Sequence, residues 1–85
     1  MKKLWHDKAW EEYASWQTRD ARTLRRINTL IQSIERNGYE CIGKPEPLKG
    51  NLVGWWSVRI DAANRIVFQI VGDVLEIYSC AGHYE

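Results

Sequence analysis

The chain is poor in the features that mark a specialised protein at sight. Its 85 residues hold two cysteines, Cys41 and Cys80, and two prolines, Pro45 and Pro47. Two cysteines so far apart are too few for a zinc ribbon, and reduced thiols are expected rather than a disulfide. No apolar run approaches the length of a membrane span. The start, MKKLWHDK, has two lysines but no apolar stretch long enough for a signal peptide. These absences predict a cytoplasmic protein with no membrane partner. Net charge is only +1 and points to no partner by itself. No repeat, linker or low-complexity segment is visible, so residues 1–85 read as a single domain.

What is present must build a core from little chain. A domain of this size buries roughly 60–65 % of its unfolded surface. Five tryptophans, four tyrosines and many Ile, Leu and Val supply large side chains for it. A charged fraction of 27 % beside 45 % hydrophobic residues describes a globular chain, not a disordered one. Charge is unevenly spread: five arginines lie from Arg19 to Arg36, against Asp20 and Glu35. That basic surface suits an anionic partner, or is simply a solvated helix face.

Periodicity organises the chain. Residues 2–6 suit a short strand. Asp7 is placed to cap a helix in which Ala9, Trp10, Tyr13, Ala14 and Trp16 recur at helical spacing. Asp20 is expected as a second cap after a break near 18–20. Leu24, Ile27, Leu30, Ile31 and Ile34 then make one apolar stripe, ended by Asn37-Gly38. Beyond the prolines the period becomes two, predicting strands over 55–60, 65–71 and 74–80. Gly72-Asp73 suits a two-residue hairpin that sets Phe68 opposite Ile77. For the other turn, pairing Ile60 with Ile66 through Ala62-Ala63-Asn64, with Asn64 left-handed, keeps the apolar sets of both strands together. This register sets Arg59 opposite Val67 and Arg65 opposite Cys80. It puts Trp56, Val58, Ile60, Ile66, Phe68, Ile70, Leu75 and Ile77 under the helices. Trp55, Ser57, Arg59, Arg65, Val67, Gln69, Glu76, Tyr78 and Cys80 go to the uncovered face. The fold class is α+β, two N-terminal helices on one face of a small antiparallel sheet.

One stretch raises a chemical question. In KPEPLKG, residues 44–50, the carboxylate of Glu46 sits between two prolines and two lysines. Proline fixes its own φ and confines the residue before it to extended backbone. Glu46 therefore has little backbone freedom left to lose. Alone, it reads as an exposed acid paired with Lys49. Arg59 and Arg65 alone read as cross-strand partners of Asp61 or Glu76, and His83 as a frayed terminal residue. Together they are a set suited to RNA cleavage by a neighbouring 2′-hydroxyl. A base takes the hydroxyl proton and an acid protonates the leaving 5′-oxygen. Fixed cations hold the charged phosphorane-like transition state, and an aromatic ring such as Tyr84 stacks on an unpaired base.

The stretches KPEPLKGNLVGWWSVRI, NRIVF and the terminal GHY closely resemble the YoeB-type toxins of bacterial toxin–antitoxin pairs, within the RelE-like group. The N-terminal LWHDKAWEEY and the Arg-Ile-Asn of the second helix resemble them too, so the likeness spans essentially the whole chain. It implies a RelE-like fold and a metal-independent, cofactor-free mRNA endoribonuclease acting in the ribosomal A site. It also implies partners: the ribosome with its mRNA, a cognate YefM-like antitoxin that folds onto the toxin, and a second copy in a homodimer. Carried across by position, the resemblance makes Glu46 the general base, Arg65 the phosphate-stabilising cation, His83 the general acid and Tyr84 the terminal aromatic. Lys49 and Arg59 match supporting basic positions, and Lys44 adds charge to the same loop. Two positions depart from the pattern. Ala81 stands where members commonly have a basic residue, and Glu85 extends the chain past the usual terminal tyrosine. Two other readings stay open: a non-nuclease toxin of the ParE-like type, and a catalytically inactive antitoxin-binding module.

Overall fold

In the computed structural model, which describes residues 1–83, the chain starts as a strand, β1 (Lys2–Trp5). Helices α1 (Asp7–Arg19) and α2 (Ala21–Asn37) follow, then β2 (Glu46–Pro47), β3 (Trp56–Arg59), β4 (Arg65–Val71) and β5 (Val74–Ser79). The sheet order is β1-β5-β4-β3-β2. The expected α+β architecture is present with one refinement. β1 joins parallel to β5, while every other neighbouring pair is antiparallel, so the sheet is mixed. Among the described residues no helix is long and apolar enough to cross a membrane.

Asp7 does not cap α1. It is the first helical residue, where its charge meets the positive end of the helix dipole. The capping position falls on His6, whose backbone N–H still donates to Ile77 in the sheet (3.0 Å). The strand's end thus decides where the helix begins. Asp20 does cap, accepting from the Arg22 and Thr23 amides while its own N–H closes α1 on Trp16. The Thr23 hydroxyl and amide hold its carboxyl below the usual range. Gly38, at φ 61, closes α2 by donating to the Ile34 carbonyl.

The α2 stripe buries Ile27, Leu30, Ile31 and Ile34. These pack with Ala9 and Trp16 of α1 and with Val58, Ile60, Ile66, Phe68, Leu75 and Ile77 of the sheet. Fully burying a side chain such as Phe68 stabilises by roughly 1.5–3 kcal/mol. Tyr39 stacks on Phe68, with ring centroids 5.8 Å apart, and its hydroxyl accepts from the Ile70 amide. The predicted helix-covered set is therefore the set in or against the core.

Three details of the register differ from expectation. Arg59 pairs with Arg65, Val58 with Ile66 and Ser57 with Val67, so each β3 residue faces a partner two places earlier in β4 than the predicted 60–66 pairing gives. A shift of two leaves every side chain on its expected face. Asn64 is not left-handed; Lys44 (φ 55) is the only described non-glycine residue with positive φ. The Asp61 carboxylate closes the turn by accepting from the Ala63 and Asn64 amides, both at 2.8 Å. Finally, an irregularity at Val67/Phe68 pairs Phe68 with Ile77 but Val67 with Ser79. That extra residue turns Ser79 to the far face and Cys80 into the core. Cys80 is therefore neither opposite Arg65 nor on the uncovered face. Burial, followed by the Glu12 carboxylate, pushes its thiol up to about 12. Both cysteines are free.

The face away from the helices is less open than expected. Ser57, Arg65, Val67 and Ser79 are buried. Trp55 and Tyr78 lie against the His6 ring, whose Nε2 is 2.7 Å from Glu76. The His6 and Gln69 hydrogen bonds lower the Glu76 pKa.

Candidate active site

The proline loop becomes the sheet's edge. Glu46 and Pro47 pair with Ser57 and Trp56, and the Leu48 amide donates to the Trp55 carbonyl (2.8 Å). Two prolines are tolerated there because an edge strand need not donate on both sides. The pairing holds the backbone of Glu46 while its side chain stays about half exposed (54 %).

Arg65 opens β4, next to β3. Its side chain is only 9 % exposed, although it carries a full charge. Nη1 lies 3.4 Å from Glu46 Oε1 and 3.3 Å from Ser57 Oγ. Both contacts are at the long end for N–H···O bonds. Nε is buried with no partner among the described residues. The guanidinium is thus fixed in place, with donor capacity in reserve. Buried cations are ordinarily paired closely, so this arrangement favours an incoming anion.

A cleft of about 440 Å³ is lined by Glu46, Pro47, Leu48, Lys49, Arg59, Arg65 and His83. The structure therefore gathers five of the seven predicted site residues around one space. Lys44 is not among the lining residues, and its left-handed backbone instead turns the chain into Pro45. Tyr84 and Glu85 lie outside the described residues, while Ala81 is partly buried against the core. The bland cross-strand pairings are not formed: Glu76 takes His6 and Gln69, and Asp61 takes its own turn.

Sequence reasoning assigned no role to Ser57, although alternation put it on the face of Arg59. It also missed Asn64, whose Oδ1 accepts from the Gly82 amide (2.9 Å). The signal was available in Asp-Ala-Ala-Asn, since an aspartate opening a turn commonly accepts from the amides two and three residues on.

Carboxylate, imidazole and cations on one cleft can move protons and bind a phosphodiester. Residues 5–84 match the family described as "YoeB-like toxin of bacterial type II toxin-antitoxin system". The chain belongs to that family. It is 44 % identical to Toxin YoeB of Escherichia coli K12 over 84 residues, 99 % of this chain and 100 % of the relative. The solved "YoeB/ParE toxin from Agrobacterium tumefaciens" superposes with a TM-score of 0.95 at 43 % identity, covering 99 % of this chain and 100 % of that one. A Staphylococcus aureus relative, solved as a YoeB–YefM complex, gives 0.92 at 39 % identity and covers 99 % and 98 %. A YoeB dimer from the same organism gives 0.92 at 40 %, with the same coverage. The YoeB-like family thus accounts for the RelE-like fold.

Proposed function

We propose that this chain is a ribosome-dependent mRNA endoribonuclease that cuts translated mRNA in the A site. The observation that carries this reading is Arg65: a buried, under-bonded guanidinium on a cleft shared with Glu46 and His83. Glu46, the exposed carboxylate, takes the proton from a ribose 2′-hydroxyl. The freed oxygen attacks the adjacent phosphorus while the bond to the 5′-oxygen breaks. His83 gives that oxygen its proton, leaving a 2′,3′-cyclic phosphate and a 5′-hydroxyl. Arg65 holds the non-bridging oxygens as charge builds on them, and Lys49 and Arg59 add positive potential on the same cleft. No metal is assigned to these steps. Tyr84 stacks on a base, and Lys44 meets the RNA beside the cleft. The pinned backbone gives Glu46 its advantage through position, because less entropy is lost in aiming it.

The solved complex and dimer of the staphylococcal relative support two partners for this chain, a YefM-like antitoxin and a second copy. The ribosome, the mRNA and the cytoplasm follow from the same reading.

The test is single-turnover cleavage of ribosome-bound mRNA, with circular dichroism and ribosome pelleting as controls. Glu46→Gln and His83→Gln are each expected to slow cleavage by ~10²–10⁴-fold while folding and pelleting normally. Arg65→Lys should be nearly as slow, because lysine lacks the planar fork that grips two oxygens. Near wild-type cutting by both Glu46→Gln and His83→Gln would refute these assignments. Absence of any cut within codons, in a 5′-end map after induction without antitoxin, would favour the ParE-like or inactive reading.

A further inference from the structure

The ladder of β5 ends at Ser79, yet the chain beyond it is tied at defined points. The Cys80 amide donates to Glu12 Oε1, and its carbonyl accepts from Trp16 Nε1, both at 2.9 Å. Two residues later the Gly82 carbonyl accepts from the Arg65 amide (2.9 Å), and the Gly82 amide donates to Asn64 Oδ1 (2.9 Å). Asn64 is itself held: its Nδ2 lies 3.1 and 3.2 Å from the two Asp61 carboxylate oxygens. Asp61 is anchored in turn by the Ala63 and Asn64 amides. The hydrogen-bonded series from Asp61 through Asn64 to Gly82 thus ends one residue before His83, beside Arg65 at the start of β4.

We propose that Asn64 is a positioning residue that sets His83 against Arg65 and Glu46. The proposal rests on the reading of His83 as general acid. The amide at position 64 meets two demands with two separate atoms. Its oxygen must accept from a backbone N–H while its nitrogen donates to a carboxylate. Aspartate there would confront Asp61, and alanine would leave Gly82 to water. Gly82 is exposed, so water can replace the lost bond and the fold loses little. What water cannot replace is the fixed placement of the residue that follows. A small misplacement of a reacting group can slow chemistry by up to ~10²-fold.

The experiment compares wild type, Asn64→Ala, His83→Gln and the double variant in single-turnover cleavage of ribosome-bound mRNA. It also includes the paired exchange Asp61→Asn with Asn64→Asp, which swaps donor and acceptor but keeps an oxygen for the Gly82 amide. Asn64→Ala should slow the saturating rate by about 10–100-fold, with the half-saturating ribosome concentration and the thermal midpoint unchanged. It should add nothing in the His83→Gln background, and the paired exchange should recover most of the rate. A wild-type rate for Asn64→Ala, multiplicative losses in the double variant, or no recovery in the exchange would overturn the proposal. If His83→Gln itself cuts normally, the acid assignment fails and the proposal fails with it. If His83→Gln is slow while Asn64→Ala is not, only the role of Asn64 falls.

Discussion

On the proposed reading, Arg65 would serve chemistry at the expense of stability. A buried guanidinium with two contacts beyond 3.2 Å and an Nε unpartnered among the described residues recovers little of its lost hydration. Its acidic neighbour is half exposed, so removing the arginine strands no buried carboxylate. Arg65→Met should therefore abolish cleavage while leaving stability unchanged or raised by up to ~2 kcal/mol. Urea unfolding measures this directly, and a loss of more than about 1 kcal/mol would show that the guanidinium is well satisfied in solution. Sequence alone put Arg65 on the right face. Its burial and its open donors depend on β2, β3 and the tail, which arrive from distant parts of the chain.

At the scale of elements, the approach of the proline loop depends on Gly43. Its carbonyl accepts from the Arg59 amide (2.8 Å). A Cβ there would stand 2.7 Å from Leu30 Cδ2 and 3.1 Å from Val58 Cβ, at φ +92. Gly54 has a similar φ of +96 but nothing within 4 Å. Both alanine substitutions should cost about 1–2 kcal/mol for the backbone. Gly43→Ala should cost a further ~1–3 kcal/mol for overpacking α2 against β3. Equal midpoints for the two variants in denaturant titrations would mean that Leu30 yields freely. Local sequence made the helices, the second cap and the Gly72-Asp73 hairpin legible. The turn at 61–63 was misjudged because the Asp61 side chain does the work assigned to a left-handed Asn64.

For the whole molecule, a net charge of +1 conceals a cleft that, among the described residues, is lined by Lys49, Arg59 and Arg65 against the carboxylate of Glu46. That imbalance suits RNA phosphates, and it equally suits an acidic stretch of antitoxin laid across the same face. A chain carrying Arg59→Gln and Arg65→Gln should bind its antitoxin more weakly, with less salt dependence. Titration calorimetry at low and high salt checks this; unchanged affinities in both would place the antitoxin elsewhere.

The residues by themselves determined the periods, the faces and the chemistry on offer. Helical and alternating apolar spacing made the class α+β, and parity alone put Arg59 and Arg65 on one face. Parity survives any even shift of register, which is why the faces were right although the pairing was off by two. Tertiary structure decided what parity cannot. It inserted the irregularity at Val67/Phe68 that sends Cys80 inward, and it recruited β1 parallel to β5. It also drew Glu46, Lys49, Arg59, Arg65 and His83 onto one cleft. Those outcomes rest on contacts between residues well separated along the chain. Their energies depend on which neighbour fills each space, and no local pattern contains that information.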